Sequence, residues 1–418
     1  MKPLMQPVEY QDRTLTCDGV ALADIGAKTG TPCYVYSAAT ILANYRAYDD
    51  TLQGAAHTIC YAVKANGNLA ILRLLARAGA GFDIVSGGEL YRVLKAGGDP
   101  AKVVFSGVGK TSAEIDAALA AGIFAFNCES EPELALVDAL AHRRGIQARV
   151  ALRVNPDVAA DTHAHIATGS LGHKFGVDIS QAESVYERAR QYENLLLEGV
   201  SCHIGSQQFD FEPMMKAAGR VLELIALLRA KGFDIRHVDL GGGLGVTYRP
   251  EEPAPPIADF TAALRQKVAG HDLHMFLEPG RSIVGNAGVL LTRVLYRKKG
   301  GDKEFVVVDA AMNDLIRPAL YDAHHEILPL RAAATGCGLL ADVVGPVCES
   351  GDFLAQDRQM PEVFPGDLLA VCTVGAYGFA QASNYNARPR AAEVLIENGS
   401  WRVIRTRETF DDLIRGEE

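Results

Sequence analysis

The sequence predicts an α/β chain: a (β/α)8 barrel of the TIM type plus a C-terminal, mainly antiparallel β domain. Three observations predict it. From residue 57 to about 285, short apolar runs alternate with stretches of helical period. There are eight such alternations, and eight parallel strands close a barrel. From about 286 the rhythm changes to β-like runs separated by Gly, Pro and Asn. A doubly wound open sheet is the competing architecture for the first part.

In chain order, the strand candidates are HTICYAV, FDIV, VVFS, FAFN, RVALRV, EGVSCHI, RHVDL and HMFLE. Helix-like segments lie between most of them, among them NLAILRLLARAG, SGGELYRVLKAGG and EPMMKAAGRVLELIALLRAKG. The last has apolar residues near spacings of three and four and ends on a Lys-Gly stop. PEEPAPP at 250–256 reads as a surface loop within the barrel. Beyond it, GVLLTRVLYRKKG, KEFVVVDAAM, LLADVVGPVCES, DLLAVCTVGAYG, AAEVLIENG and WRVIRTRE read as strands. The first 35 or so residues also read as short β pieces able to pair with that later domain. The expected division is therefore 37–285 for the barrel, and 1–36 with 286–418 for the β domain.

Bulk properties bound the function. A chain of 418 residues is long for one core and suggests two or three domains. Its balance of 41 basic and 51 acidic residues, net −10, argues against nucleic acid or an anionic membrane as the main partner. Eight cysteines, none in a CxxC pair, fit neither a zinc ribbon nor a disulfide scaffold, and point to a reducing compartment. The opening MKPLMQPVEYQDRTLTCDG lacks the apolar core of a signal peptide. No apolar run approaches the roughly 20 residues that span a bilayer. A cytoplasmic location is the expectation.

In a barrel of this kind the working groups sit at the C-terminal ends of the strands. Lys64 follows the first strand candidate; Asp83 and Ser86 end the second. His203 to Gln207, HIGSQ, follows the sixth. Gly241 to Gly245, GGGLG, follows the seventh, and Glu278 to Ser282, EPGRS, the eighth. An amine, an imidazole, a glycine loop, a carboxylate and an arginine thus share one rim.

A glycine loop at a strand-to-helix turn lets backbone N–H groups approach a phosphate. GGGLG fits neither the dinucleotide GxGxxG nor the Walker pattern, and alone a plain tight turn explains it equally well. With a lysine and a glutamate on the same rim, the set suggests a phosphate-bearing cofactor that needs an amine. Pyridoxal phosphate fits, since its aldehyde condenses with a lysine. Glu278 would keep the pyridine nitrogen protonated. Arg281 would hold an anionic substrate group or the phosphate. Singly, each residue has a plainer explanation: a surface lysine, a structural histidine, a turn-capping glutamate. Their equivalent positions at strand ends favour the shared one.

At these residues the chain resembles a known family. YAVKAN, HIGSQ, GGGLG and EPGRSIVGNAG resemble the fold-type III pyridoxal-phosphate decarboxylases. MNDLIRPALYDAHHEI, DVVGPVCESGDFLA and GAYGFAQASNYNARPRAAEV narrow this to the diaminopimelate decarboxylase family, over nearly the whole chain. The loop DTHAHIATGSLGHKFG matches only through its TG and KFG. The resemblance implies that Lys64 carries the cofactor, His203 stacks on its ring and Glu278 faces its nitrogen, with Asp83 also in contact. Gly242, Gly243, the backbone of Pro279, Gly280 and Arg281, and Ser206 would hold the phosphate. Arg281, Arg317, Tyr321 and Tyr377 would contact substrate and cofactor. Cys348 and Glu349 would enter from the partner subunit, making the functional unit a homodimer.

The implied substrate, meso-diaminopimelate, carries an amino-carboxylate at each end. Decarboxylation at its D-centre would give L-lysine and CO2. The distal L-centre needs a cation for its carboxylate, which Arg317 supplies as a two-pronged donor, and an acceptor for its ammonium, which Glu349 supplies. A substrate lacking the distal carboxylate would leave an arginine unpaired in a dry site. The carbanion left by CO2 must be protonated at carbon, and the Cys348 thiol suits that task. Without the family, Cys348 reads as an inert buried thiol and Arg317 as a surface turn. Decarboxylases of ornithine, arginine or carboxynorspermidine are the alternative reading, and a non-catalytic cofactor-binding barrel a third. No metal is expected: His324, His325 and Glu326 are adjacent and diverge, and His163, His165 and His173 read as part of a solvated loop.

Overall fold

Eight parallel strands form a closed ring. In chain order they are β1 (His57–Ala62), β2 (Gly81–Ile84), β3 (Val103–Phe105), β4 (Ala125–Cys128), β5 (Ala148–Asn155), β6 (Leu195–Ser201), β7 (His237–Asp239) and β8 (His274–Leu277). Each pairs in parallel with the next. β8 returns to β1, with Leu277 opposite Ile59. Closure excludes the open sheet, whose two edges would stay unpaired. The computed structural model describes residues 7–158, 174–332 and 338–418. His163, His165, His173 and most of the 160–176 loop lie outside them.

Local chemistry starts and stops the helices between these strands. Asn68 caps the helix Leu69–Arg77 by accepting from the Ala70 N–H, and Ser86 caps Gly87–Ala96 by accepting from Glu89. Thr111 and Glu114 form a reciprocal capping box on Ser112–Ala121. Gly97 and Gly145 end their helices at φ 83° and 63°, a conformation that costs a side-chain-bearing residue but not glycine. The helices then cover the outer face of strands whose residues are nearly all buried. Hence the strands read as continuous apolar runs.

The chain divides by internal contacts into two units. One comprises residues 44–246 and 254–282 and holds the barrel. The other comprises 1–43, 247–253 and 283–418. PEEPAPP straddles a boundary: 250–253 group with the second unit, while Ala254 rejoins the first.

In the second unit a nine-stranded sheet is organised on one long strand, Gly288–Gly300, which pairs antiparallel with Cys33–Ser37, Lys303–Val308 and Leu368–Val371. Two pairings are parallel, Cys33–Ser37 with Ala392–Glu397 and Lys303–Val308 with Gly338–Val344, so the sheet is mixed. The N-terminal segment does pair with this sheet through Cys33–Ser37. It is not wholly β, because Leu22–Thr29 is a helix. Leu22 and Ile25, three apart, bury one face of it against a core that includes Val35, Leu291 and Val394. An eight-residue helix shows too few turns of periodicity to stand out among short strands.

Candidate active site

The C-terminal rim of the barrel gathers polar residues that would be costly to bury singly. Lys64 sits in the short turn directly after β1, and its Nζ lies 2.7 Å from Asp83 Oδ2 in β2. Asp83 is fully buried, and its Oδ1 has no hydrogen-bond partner among the described residues. On the neighbouring strand of the ring, Glu278 follows β8 and is buried. Ser106 Oγ donates to Glu278 Oε1 at 3.0 Å, and the Asn127 amide lies 3.2 Å from the same oxygen. Asn127 also donates to Asp239 Oδ2 at 2.9 Å, and Asp239 Oδ1 accepts the Gly241 N–H at 2.9 Å.

Two buried carboxyls side by side cannot both ionise cheaply. Burial pushes Glu278 well above the usual carboxylate range, and the charges of Asp239 and Asp83 push it further, against the pull of Lys64. Asp239 is raised by burial to about 6. Of the pair, Glu278 is the one pushed further toward its protonated form.

His203 follows β6. Burial, with the nearby positive charges of Arg153 and Lys64, holds its imidazole well below its ordinary value, so the ring is neutral. Its Nδ1 accepts the Gly242 N–H at 3.2 Å, which places the ring proton on Nε2. Lys64, Ser106, Asn127, Arg153, His203 and Glu278 line one cavity of about 280 Å³.

The glycine loop has no room for side chains. A Cβ on Gly242 would lie 2.2 Å from the Glu278 carbonyl oxygen, and one on Gly243 2.4 Å from that of Gly205. Gly280 packs close to Ala62 and Ala65, beside Lys64, and the Pro279 carbonyl accepts the Ala62 N–H at 3.1 Å. Arg281 Nη2 lies 3.1 Å from Ser206 Oγ. The strand-end residues expected from the sequence thus converge on one rim. Ser86 does not join them, being spent as a helix cap.

Sequence reasoning passed over Ser106, Asn127, Arg153 and Asp239. Three of these stand at or beside the ends of β3, β4 and β7, so the strand-end rule applied to every strand would have found them. Arg153 lies within β5, where it pairs with buried Glu129 at 2.9 Å and has the Phe175 ring 5.0 Å away. Alternation along a strand buried on both faces gives no signal for it.

The remaining expected residues belong to the second unit. Arg317 opens the short helix Arg317–Tyr321 and is buried, not a surface turn. The Tyr321 hydroxyl accepts from Gln381 at 3.4 Å. Tyr377 has φ 56°, an uncommon backbone state for a bulky aromatic. Cys348 is exposed, not an inert core thiol; its N–H donates to Asn386 Oδ1 at 2.8 Å. Exposed Glu349 accepts from the Tyr385 hydroxyl at 3.5 Å.

Residues 38–285 match the family model described as pyridoxal-dependent decarboxylase, pyridoxal binding domain. A diaminopimelate decarboxylase of Pseudomonas aeruginosa is 54% identical over 413 residues, 99% of each chain. One from Aquifex aeolicus is 49% identical, covering 97% of this chain and 96% of that one. Among solved structures, the Helicobacter pylori diaminopimelate decarboxylase complexed with L-lysine aligns at TM-score 0.90 and 43% identity, over 94% of this chain and 98% of that one. The M. jannaschii diaminopimelate decarboxylase aligns at TM-score 0.94 and 38% identity, over 99% and 98%. Barrel, rim and family model together define a pyridoxal-dependent decarboxylase. Within that class the chain belongs to the diaminopimelate decarboxylase family.

The residues present fit pyridoxal phosphate. They offer an amine for its aldehyde, a buried carboxyl for its ring nitrogen, a neutral imidazole for its face, and a loop cleared of side chains for its phosphate.

Proposed function

We propose that this chain decarboxylates meso-2,6-diaminopimelate at its D-centre, releasing CO2 and L-lysine, the final step of lysine biosynthesis. The observation that carries this reading is that Lys64 and Glu278 line one rim cavity, in a chain that keeps the family's motifs throughout. When bound, pyridoxal phosphate supplies an aldehyde that joins an amine and a ring that takes up the electrons freed by the departing carboxylate.

Lys64 Nζ is the amine for that aldehyde, and Asp83 orients it. Glu278 would face the ring nitrogen and hold it protonated, since a cation beside the carboxylate would offset the cost of burying it charged. Ser106 and Asn127 fix the carboxyl in place. His203, neutral and tied by Nδ1 to the glycine loop, forms a flat wall. The N–H groups around Gly242 and Gly243, with Gly280, Ser206 and Arg281, hold the phosphate dianion.

Arg317 pairs with the carboxylate of the non-reacting centre, while Tyr321 and Tyr377 border the substrate. Cys348 delivers a proton to the reacting carbon and recovers one from water. Glu349 accepts the distal ammonium. The exposure of Cys348 and Glu349 suits residues that complete the site of a second copy, so the reading includes a homodimer. No described helix is long and apolar enough to cross a membrane.

Incubation of the protein with pyridoxal phosphate and meso-diaminopimelate, alongside ornithine, arginine and carboxynorspermidine, tests the reading. Lysine and CO2 from the first compound alone are expected. A cofactor-loaded sample that leaves diaminopimelate intact, or prefers another amino acid, defeats it.

A further inference from the structure

The segment HHE, residues 324–326, has no part in the chemistry above, yet it is built into the second unit with unusual care. His325 is fully buried. Its Nδ1 lies 2.8 Å from the Cys372 carbonyl oxygen, and its Nε2 lies 2.9 Å from Arg317 Nη1. A carbonyl oxygen only accepts and a guanidinium only donates. The ring proton is therefore on Nδ1, and Nε2 turns a lone pair toward Arg317. One tautomer of the neutral ring satisfies both partners; a doubly protonated ring would oppose N–H to N–H.

Tyr248 adds a second hold. Its ring centre lies 4.7 Å from the guanidinium carbon of Arg317. The same ring meets His325 edge-on, at 5.3 Å and 84°. Arg317 is thus held through an N–H and by its attraction to an aromatic ring.

The hold on His325 extends into the sheet. Cys372 directly follows the strand Leu368–Val371 and donates its N–H to the Glu326 carbonyl at 2.8 Å. Ile327–Pro329, beginning two residues after His325, pairs with that same strand. Arg358 adds two bonds, to the His325 carbonyl at 2.8 Å and to His324 Nδ1 at 3.0 Å. Sheet register therefore sets the imidazole, and the imidazole sets the arginine.

We propose that His325, with Tyr248, is a positioning residue for substrate recognition: the pair fixes the plane and reach of Arg317 so that its fork meets the carboxylate of the substrate's non-reacting centre. This rests on the reading of Arg317 as that carboxylate's partner. An unmounted arginine would have to lose its rotamer freedom on each binding event, so the effect falls on affinity for ligands that carry the carboxylate.

The test is calorimetric titration of the holoenzyme with L-lysine, which keeps that carboxylate, and with 1,5-diaminopentane, which lacks it. His325→Leu weakens L-lysine binding roughly tenfold and leaves 1,5-diaminopentane within about twofold, the scale of one charge-assisted hydrogen bond. In turnover it raises KM for diaminopimelate more than it lowers kcat. His325→Gln, which retains an acceptor for Arg317, restores L-lysine affinity to within about threefold of the native protein. In an Arg317→Ala background, His325→Leu adds no further loss.

Equal weakening of both ligands, or a further loss in the Arg317→Ala background, overturns the proposal in favour of a general packing role. If Arg317→Ala weakens L-lysine binding while His325→Leu does not, positioning is refuted and the Arg317 reading stands. If Arg317→Ala itself leaves L-lysine binding unchanged, the Arg317 reading fails first. Should His325→Leu not fold, Tyr248→Leu removes the other hold and is expected to show the same ligand selectivity; native affinity for both ligands in that variant also overturns the proposal.

Discussion

Lys64 Nζ stands 2.7 Å from Asp83 Oδ2, an ammonium on the rim against a carboxylate with no exposed side-chain surface. The pair keeps the lysine at the end of β1 aimed into the barrel mouth. Lys64→Ala is expected to abolish the covalent link to pyridoxal phosphate and to cut turnover by at least about 10³-fold. Borohydride reduction of the native holoenzyme followed by peptide mass mapping checks this. A label on another lysine contradicts the assignment.

Glu278 and Asp239 make the cofactor-free protein sensitive to pH. The folded values of both lie above the ordinary 4.5 and 3.8, that of Asp239 at about 6. A carboxyl raised in the folded state binds its proton more tightly folded than unfolded. Stability from this source is therefore full below the unfolded values and is lost as pH rises through the folded ones. Thermal unfolding of cofactor-free protein should move to lower temperature from pH 4.5 to 7. Asp239→Asn should flatten that slope, and a slope identical to the native one counts against the coupling.

Gly242→Ala tests the phosphate loop. Its new Cβ would sit 2.2 Å from the Glu278 carbonyl oxygen, which is backbone and cannot swing away. A loss of about 1–3 kcal/mol in stability is expected from the forced backbone shift, with weaker cofactor binding. Gly122→Ala serves as a control. Its Cβ meets nothing within 4 Å, so only the strain of φ 69° remains. Urea unfolding and cofactor fluorescence titration separate the two outcomes.

Cys348→Ala is expected to keep the cofactor's absorbance while turnover falls by about 10²-fold, the scale of one general acid. Because Cys348 is read as serving a second copy, mixing the impaired Lys64→Ala and Cys348→Ala proteins should raise activity well above that of either alone. Random exchange of subunits yields about a quarter of the native rate, since half the dimers then carry one intact site. Absence of restoration after verified exchange argues that each chain completes its own site.

Much of this was legible before any coordinates. The eight apolar runs became the eight barrel strands because a strand covered on both faces must be apolar along its length. The glycine loop was visible as a run, but a plain tight turn explained it equally well until the structure showed that only residues without a Cβ fit where Gly242 and Gly243 sit. The helix Leu22–Thr29 and the parallel pairings of the second sheet were not legible. Eight residues hold too little periodicity, and strand partners far apart in sequence leave no local mark.

The sequence by itself determined the fold class, the family and the strand-end residues, since these follow from periodicity, residue type and motif. Only the tertiary structure decided how the charges are balanced. That burial beside Asp239 pushes Glu278 toward its protonated form, that His203 is neutral, and that His325 faces Arg317 with a lone pair all depend on which residues lie close in space, from Arg317 and His325, 8 positions apart, to Ser106 and Glu278, 172 apart. Protonation and tautomer are set by what lies within a few ångströms in space, and chain order carries no record of that separation.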